Sequence, residues 1–279
     1  MAEPATATDA ILAVLPIETT MQLTPELVAL TIRDVRDDGP EPGWTPLSET
    51  ELDALVAAIE READSDPIWV FAYGSLIWNP EFKPAGRRRA TAHGWHRSFS
   101  LKIERWRATS AQPGLMMALE RGGQCDGVIL QLSSERRRDD LRALVAREIR
   151  YREVIDMVRW VKVKTPDGIQ KALTFWASTK RAGLTAPLPV ETTAKLIASA
   201  CGEGGSCAQY LHNTIVDLQA EGNSRSKPLA VTGAGRGRDL RTARTLWRDS
   251  PGYQSSMTIC AATCSSKNLE KDAMRGGRA

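Results

Sequence analysis

Hydrophobic and polar positions along the chain predict one early helix, then a run of short strands, then late helices. Apolar residues recur at helical spacing over 52–59, directly behind Ser48, and Glu51 stands three residues after that serine. This spacing predicts a helix that begins after Ser48 and packs on the main domain. The strand pattern starts at 68–73, a β-branched and aromatic run that stops at Gly74-Ser75.

The rest of the pattern alternates between short apolar runs and helical spacing. Short strands are predicted at 89–93, 96–102, 115–119 and 125–132, a helix at 135–150, a hairpin from 154–163 and 171–177, and two helices near 190–200 and 206–220. Many short strands with helices late in the chain predict an α+β fold. Its centre would be a small curled or closed, barrel-like mixed sheet with flanking helices.

Composition and charge divide the chain into three parts. We expect an N-terminal extension with one helix at 1–66, a main domain at 67–222, and a basic, disordered tail at 223–279. Up to Gly222 the chain has 26 Lys and Arg against 30 Asp and Glu, whereas the tail has 11 against 4. The basic excess of the whole chain therefore belongs to the tail.

Cysteine usage and hydropathy favour a cytoplasmic protein. The five cysteines are an odd set without C-x-x-C spacing, which argues against a disulfide framework and against a structural zinc site. The apolar run at 10–17 contains Pro16 and follows acidic residues without Lys or Arg, so we expect no signal peptide. No run approaches the roughly 20 apolar residues of a membrane span, and nothing in the sequence indicates an oligomeric state.

The segment with the most specific pattern runs from Val70 to Pro80 and includes Tyr73-Gly74-Ser75-Leu76. A glycine at a strand end allows successive backbone N–H groups to turn inward, and such a nest can bind an acidic group. Taken alone, this short glycine motif is equally consistent with a plain hairpin turn. The rest of the chain therefore has to decide between the two interpretations.

This segment resembles the glycine turn of the γ-glutamylcyclotransferase superfamily, and its continuation Ile77-Trp78-Asn79-Pro80 resembles the ChaC branch. More of the ChaC pattern follows in order over about the central half of the chain, at 94–99, 112–115, 122–128, 200–202 and 205–214. The resemblance implies a cofactor-free enzyme without a metal. Its expected substrate is glutathione, whose γ-glutamyl group is cyclised to release 5-oxoproline and cysteinylglycine.

The resemblance also implies the site residues. Matching the family's Arg-Glu at the end of its helix gives Arg147-Glu148, so Glu148 becomes the expected catalytic acid/base. Considered without the motif, Glu148 is more typical of a solvated helix carboxylate that pairs with Arg152. The expected substrate-binding residues are Tyr73, Gly74, Ser75 and Leu76, with the backbone N–H groups of the last three facing the ligand.

Several other residues are weaker candidates for a role in the site. Glu120 and Glu153 are alternative acid/base residues, and Arg97 could pair with the glycine carboxylate of glutathione, although an exposed strand arginine is the more common case. Tyr151 and Tyr210 are more often core residues than ligands.

Two departures from the ChaC pattern affect these expectations. Ala72 replaces a usual glycine, which a strand position should tolerate. After Gly222 the usual continuation of the last helix gives way to the basic tail, so a supporting element could be missing.

Several alternatives stay open at this point. The chain could cyclise another γ-glutamyl compound, or bind one without activity. A serine-type hydrolase could use Ser75 with His96 or His212, but the sequence lacks a Gly-x-Ser-x-Gly elbow there. Nucleic-acid binding through Arg87-Arg88-Arg89 and the tail is a further possibility, but basic runs are usually solvated surface, so we expect a small-molecule partner and not a nucleic acid.

Overall fold

Five helices and seven strands occur in residues 23–63, 66–177 and 184–221, the ranges that the computed structural model describes. The helices are α1 (Pro25–Ala29), α2 (Glu49–Glu62), α3 (Arg137–Glu148), α4 (Val190–Ser199) and α5 (Cys207–Ala220). The strands are β1 (Trp69–Ala72), β2 (Gly86–Ile103), β3 (Gly114–Gln131), β4 (Val158–Thr165), β5 (Gly168–Phe175), β6 (Cys201–Gly202) and β7 (Gly205–Ser206). Short 3₁₀ helices cover Ser75–Ile77 and Arg152–Met157.

Strands β1 to β5 form a closed barrel in the order β1-β3-β2-β4-β5. Neighbouring strands are antiparallel except where β5 returns parallel to β1, with Val70 opposite Leu173. The α+β class with a closed, barrel-like sheet and flanking helices is therefore confirmed.

Strand β1 pairs with β3 on one side and with β5 on the other, and all four of its residues are buried. Because side chains alternate along a strand, Trp69 and Phe71 join one apolar cluster with residues of β2 and β4. Val70 and Ala72 join another, together with residues of α2 and α3. The alanine that departs from the family pattern thus fits as the last residue of a fully buried strand.

The four short strands expected between 89 and 132 are instead two long ones, and that part of the prediction is wrong. Strands β2 and β3 each span 18 residues and pair along their whole length. Gly94, Gly122 and Gly123, which stand between the predicted short strands, lie inside the long ones. All three have positive φ, and the register shifts between His93 and Trp95. Such bulges bend a strand without ending it, which allows the sheet to close.

The early helix and its cap are confirmed. The Ser48 hydroxyl accepts a hydrogen bond from the Glu51 amide at 3.4 Å, and the Glu51 carboxylate accepts one from the Ser48 amide at 2.9 Å. Apolar residues of α2 and α3 share one core cluster. Arg142 of α3 also pairs with Asp53 of α2 at 3.0 Å. Helix α2 therefore braces α3.

The remaining predicted elements are found with small shifts at their ends. The hairpin turns across Thr165–Gly168 as expected, but residues before Val158 form a 3₁₀ helix instead of a strand. Helices α4 and α5 follow, joined by the small β6–β7 hairpin. No helix in the described ranges is long and apolar enough to cross a membrane. The three-part division of the chain stays a prediction, and its tail lies outside the described residues.

Candidate active site

A cavity of about 660 Å³ opens where the end of α3 approaches the turn that follows β1. Its wall includes Glu148, the last residue of α3, and Ser75, the first residue after Gly74. The loop between β2 and β3 and the start of α5 contribute Arg107 and Tyr210. Two predicted site residues, distant in sequence, therefore share one cavity.

The Glu148 carboxyl is largely shielded from water, with 21% of its side chain exposed. Burial raises its pKa, because the charged form loses hydration. The charges of Arg147 and Arg150 act in the opposite direction, and Glu81 adds to the increase. Arg147 Nε lies 3.2 Å from Glu148 Oε1, whereas Arg152 pairs with Glu51 at 2.6 Å. The solvated pair between Glu148 and Arg152 is thus not formed.

The backbone amides of the turn after β1 fall into two groups: some are hydrogen-bonded within the turn and others are not. Backbone hydrogen bonds within the turn are donated by Ile77 to the Gly74 carbonyl at 2.9 Å and by Trp78 and Asn79 to the Ser75 carbonyl at 3.2 and 2.8 Å. The amides of 74–76 donate none of these hydrogen bonds within the turn. The Ser75 amide faces the hydroxyl of the buried Tyr210.

Tyr73 and Leu76 are not among the residues that line the cavity. The Tyr73 hydroxyl donates to the Phe175 carbonyl at 2.9 Å. Burial raises its pKa well above the usual value, and the nearby Tyr210 and Glu148 add to this. The Leu76 side chain is 6% exposed and belongs to the core shared with α2 and α3. The Leu76 side chain is therefore a core residue, and the binding roles of Tyr73 and Leu76 stay predictions.

Arg147 links the helix that carries Glu148 to the residues that follow the turn. Its guanidinium donates to the Asn79 carbonyl and lies 3.4 Å from Glu81 Oε1. The adjacent Trp78 donates its indole N–H to Thr214 Oγ1 at 3.1 Å, which ties the same segment to α5. The segment Trp78-Asn79 therefore fixes the turn against both helices.

Sequence reasoning missed Arg107, a buried cation on the cavity wall. It is 8% exposed and donates to the Ser206 carbonyl and to Gln209 Oε1, both at 3.1 Å. Its guanidinium also lies 5.7 Å from the Trp78 ring centroid. Burial lowers its pKa, but an arginine stays charged. Within the described ranges no carboxylate lies within ion-pair distance of Arg107, so the cavity holds a positive charge available to an anion.

Trp106, beside Arg107, was also missed. Its backbone is in the left-handed region at φ 64°, which is rare for an aromatic residue, and its side chain is 44% exposed on the cavity wall. The Trp106 carbonyl accepts from the Gly204 amide at 2.8 Å. A Cβ atom at Gly204 would lie 2.4 Å from the indole ring. Residue 204 must therefore lack a side chain for the Trp106 ring to pack in this position.

The other acid/base candidates lie elsewhere. Glu120 accepts hydrogen bonds from Ser98 and Ser100 within the barrel. Glu153 accepts from the Thr45 amide at 3.0 Å, and backbone hydrogen bonds lower its pKa. Arg97 is half-buried and donates to the Asp126 carbonyl, so it is not an exposed strand arginine.

The arrangement also disfavours the rival functions. His96 Nδ1 contacts the Gly122 carbonyl at 3.1 Å, and His212 Nδ1 contacts Asn213 Oδ1 at 3.5 Å, so neither is paired with Ser75. Arg87 forms ion pairs with Asp217 and Glu221, and Arg88 with Asp167. The basic run therefore already has acidic partners in the part of the chain described here.

The closed barrel, the glycine turn after its first strand and the largely shielded carboxyl on the wall of the same cavity agree with the family resemblance of the sequence. A family model described as ChaC-like protein matches residues 68–230. The chain belongs to this family.

Individual relatives agree. The chain is 33% identical to the glutathione-specific γ-glutamylcyclotransferase of Escherichia coli over 172 residues, covering 61% of this chain and 74% of that protein. It is 30% identical to glutathione-specific γ-glutamylcyclotransferase 1 of Homo sapiens over 154 residues, covering 54% and 69%. The crystal structure of the glutathione-specific γ-glutamyl cyclotransferase from yeast has the same fold, with a TM-score of 0.50, 19% identity and coverage of 68% and 97%.

Proposed function

We propose that the protein degrades glutathione by intramolecular cyclisation of its γ-glutamyl group, releasing 5-oxoproline and cysteinylglycine. Family membership and the names of its relatives support this reaction. The observation that carries it is the cavity shared by Glu148 and the turn at Ser75.

The reaction needs the substrate's α-amine to attack its own γ-carbonyl carbon. A new C–N bond closes the five-membered ring, and the amide bond to the cysteine nitrogen breaks. Glu148 takes a proton from the α-ammonium and returns one to the departing nitrogen. Burial raises the pKa of Glu148, which brings the carboxyl closer to the operating pH and suits it to both steps.

Binding in the ring-forming pose would add to this acceleration through proximity. Holding amine and carbonyl together can contribute roughly 7 to 11 kcal/mol. The amides of 74–76 would bind the α-carboxylate and the developing oxyanion, with the Ser75 amide exchanging the Tyr210 hydroxyl for the ligand. Arg107 adds a fixed positive charge for an anionic substrate, because its hydrogen bonds to Ser206 and Gln209 leave that charge without a described counter-ion.

The direct test is to incubate the purified protein with glutathione and to quantify 5-oxoproline and cysteinylglycine by chromatography. Both products should appear in equal amounts. Glu148→Gln should lower kcat by about 10² to 10⁴-fold, the usual contribution of general acid–base catalysis. Glu60→Gln, which removes a carboxylate paired with Arg138 on the helix surface, is the matched control and should retain the rate.

Other product patterns would identify the rival functions. Free glutamate in place of 5-oxoproline would indicate a hydrolase. Activity on γ-glutamyl amino acids without activity on glutathione would indicate a cyclotransferase for another γ-glutamyl compound.

A further inference from the structure

A short segment ahead of the family-matched region runs along the chain just after Glu148. This segment, residues 41–47, pairs in antiparallel fashion at Pro46 and Tyr151. The Leu47 amide donates to the Arg150 carbonyl at 3.0 Å, and the Arg152 amide donates to the Thr45 carbonyl at 2.9 Å. The N-terminal extension thus adds a strand-like edge to the residues that follow Glu148.

Side chains strengthen this pairing. The Glu41 amide donates to the Tyr151 hydroxyl at 3.0 Å. The Trp44 ring packs edge-on against the Tyr151 ring, with centroids 5.4 Å apart. Glu41, Trp44 and Tyr151 all lie on the wall of the cavity that contains Glu148. Segment 41–47 is therefore part of the site wall and not only a brace for the fold.

The chemistry of the reaction suggests what this wall contacts. In the pose proposed above, the turn holds the γ-glutamyl end and Glu148 faces the scissile amide. The leaving dipeptide must then extend into the rest of the cavity, whose wall combines charged side chains with the apolar and aromatic side chains of Trp44, Trp106, Met116, Tyr151 and Met157. The cysteine side chain is the soft, apolar part of that dipeptide, and sulfur packs favourably against aromatic rings.

We propose that Trp44, supported by Tyr151, limits the size of the group that the substrate can carry on its cysteine sulfur. Segment 41–47 is then a specificity-determining part of the active site supplied from outside the family-matched region. This inference rests on the proposed function. It adds that glutathione conjugates with a bulky S-substituent are rejected by this wall.

The test compares glutathione with S-hexylglutathione, using 5-oxoproline formation to obtain kcat/KM for each. Trp44→Ala should raise the ratio of S-hexylglutathione to glutathione activity by roughly tenfold or more, a typical effect of reshaping an apolar pocket. Trp44→Phe should stay near the parent ratio. Trp160→Ala removes a tryptophan outside the cavity and should leave the ratio unchanged. If Trp44→Ala lowers both activities equally, the segment has only a structural role and the inference is wrong.

A binding measurement separates this inference from the proposed function. In the Glu148→Gln background, calorimetry with both ligands should show that Trp44→Ala improves the affinity for S-hexylglutathione relative to glutathione by about the same factor. If the relative affinity is unchanged, the specificity role of Trp44 is refuted but the proposed function is not. Absence of binding of either ligand to the Glu148→Gln protein, together with no turnover by the parent, would overturn the proposed function and the inference that depends on it.

Discussion

The hydroxyl of Tyr210 occupies the space that a side chain at Gly74 would need, since an ideal Cβ at residue 74 would lie 2.5 Å from that oxygen. The same hydroxyl faces the Ser75 amide. A side chain at residue 74 would therefore collide with a tyrosine of α5, and this close approach brings α5 to the site.

Gly74→Ala should destabilise the fold and reduce activity, because its methyl group collides with the buried tyrosine. Overpacking of this kind costs about 1 to 3 kcal/mol. Tyr210→Phe removes the colliding oxygen, so the double variant should recover part of the lost unfolding free energy in urea denaturation. If the two destabilisations simply add, the proposed collision does not occur.

Glu148→Gln should stabilise the protein at neutral and alkaline pH. Burial raises the pKa of Glu148, so its contribution to stability is full below the pKa of the unfolded chain and falls as pH rises through the higher folded pKa. Glutamine cannot ionise and avoids this loss. Calorimetric Tm values should favour the variant at pH 8, and the difference should shrink toward pH 4. A constant difference would contradict the burial of a titrating carboxyl.

Arg107→Gln should weaken substrate binding more than the chemical step. The variant keeps a polar side chain near the Ser206 carbonyl but removes the buried charge. We expect KM for glutathione to rise by roughly tenfold or more, with kcat within a few-fold, as charge-assisted hydrogen bonds are worth about 1.5 to 3 kcal/mol. Arg142→Gln, on the outer surface of α3, is the control. A loss of kcat at unchanged KM would show that Arg107 stabilises the transition state and does not mainly bind the substrate.

Ser75→Ala should keep most of the activity, within about tenfold in kcat/KM, because the proposed role of this residue uses its backbone amide. A serine nucleophile would behave differently, since removing one lowers kcat by about 10⁶-fold in a serine protease. Steady-state kinetics with glutathione distinguish these outcomes directly.

The elements that were predicted correctly are those whose formation depends on residues close together in the sequence. The cap at Ser48 and Glu51 and the buried strand before Gly74 follow from neighbouring residues alone, and both are found. Glu148 was identified only through its place in a family motif, because nothing in its own helix distinguishes it from a surface carboxylate. Its burial arises from tertiary packing.

Arg107 and Trp44 show why the rest of the site was not predictable. Both lie in loops without hydrophobic periodicity, and an isolated arginine or tryptophan there is usually on the surface. Arg107 is buried and hydrogen-bonded to Ser206 and Gln209, which lie at the N-cap and in the first turn of α5, 99 and 102 residues further along the chain. Trp44 reaches the cavity because its segment pairs with residues after Glu148. The long strands were missed because glycines inside a bulge resemble glycines at a strand end.

The barrel closes along a narrow seam, where β1 meets β5 at the single registered pair Val70 and Leu173. Only Tyr73 separates the end of this four-residue strand from Gly74. A local opening of that seam would displace β1 and, with it, the amides of 74–76 that we propose bind the substrate. On gentle heating or in dilute urea, turnover should therefore fall before the far-UV circular dichroism signal of the sheet does. The reaction rate would then report whether the barrel is closed.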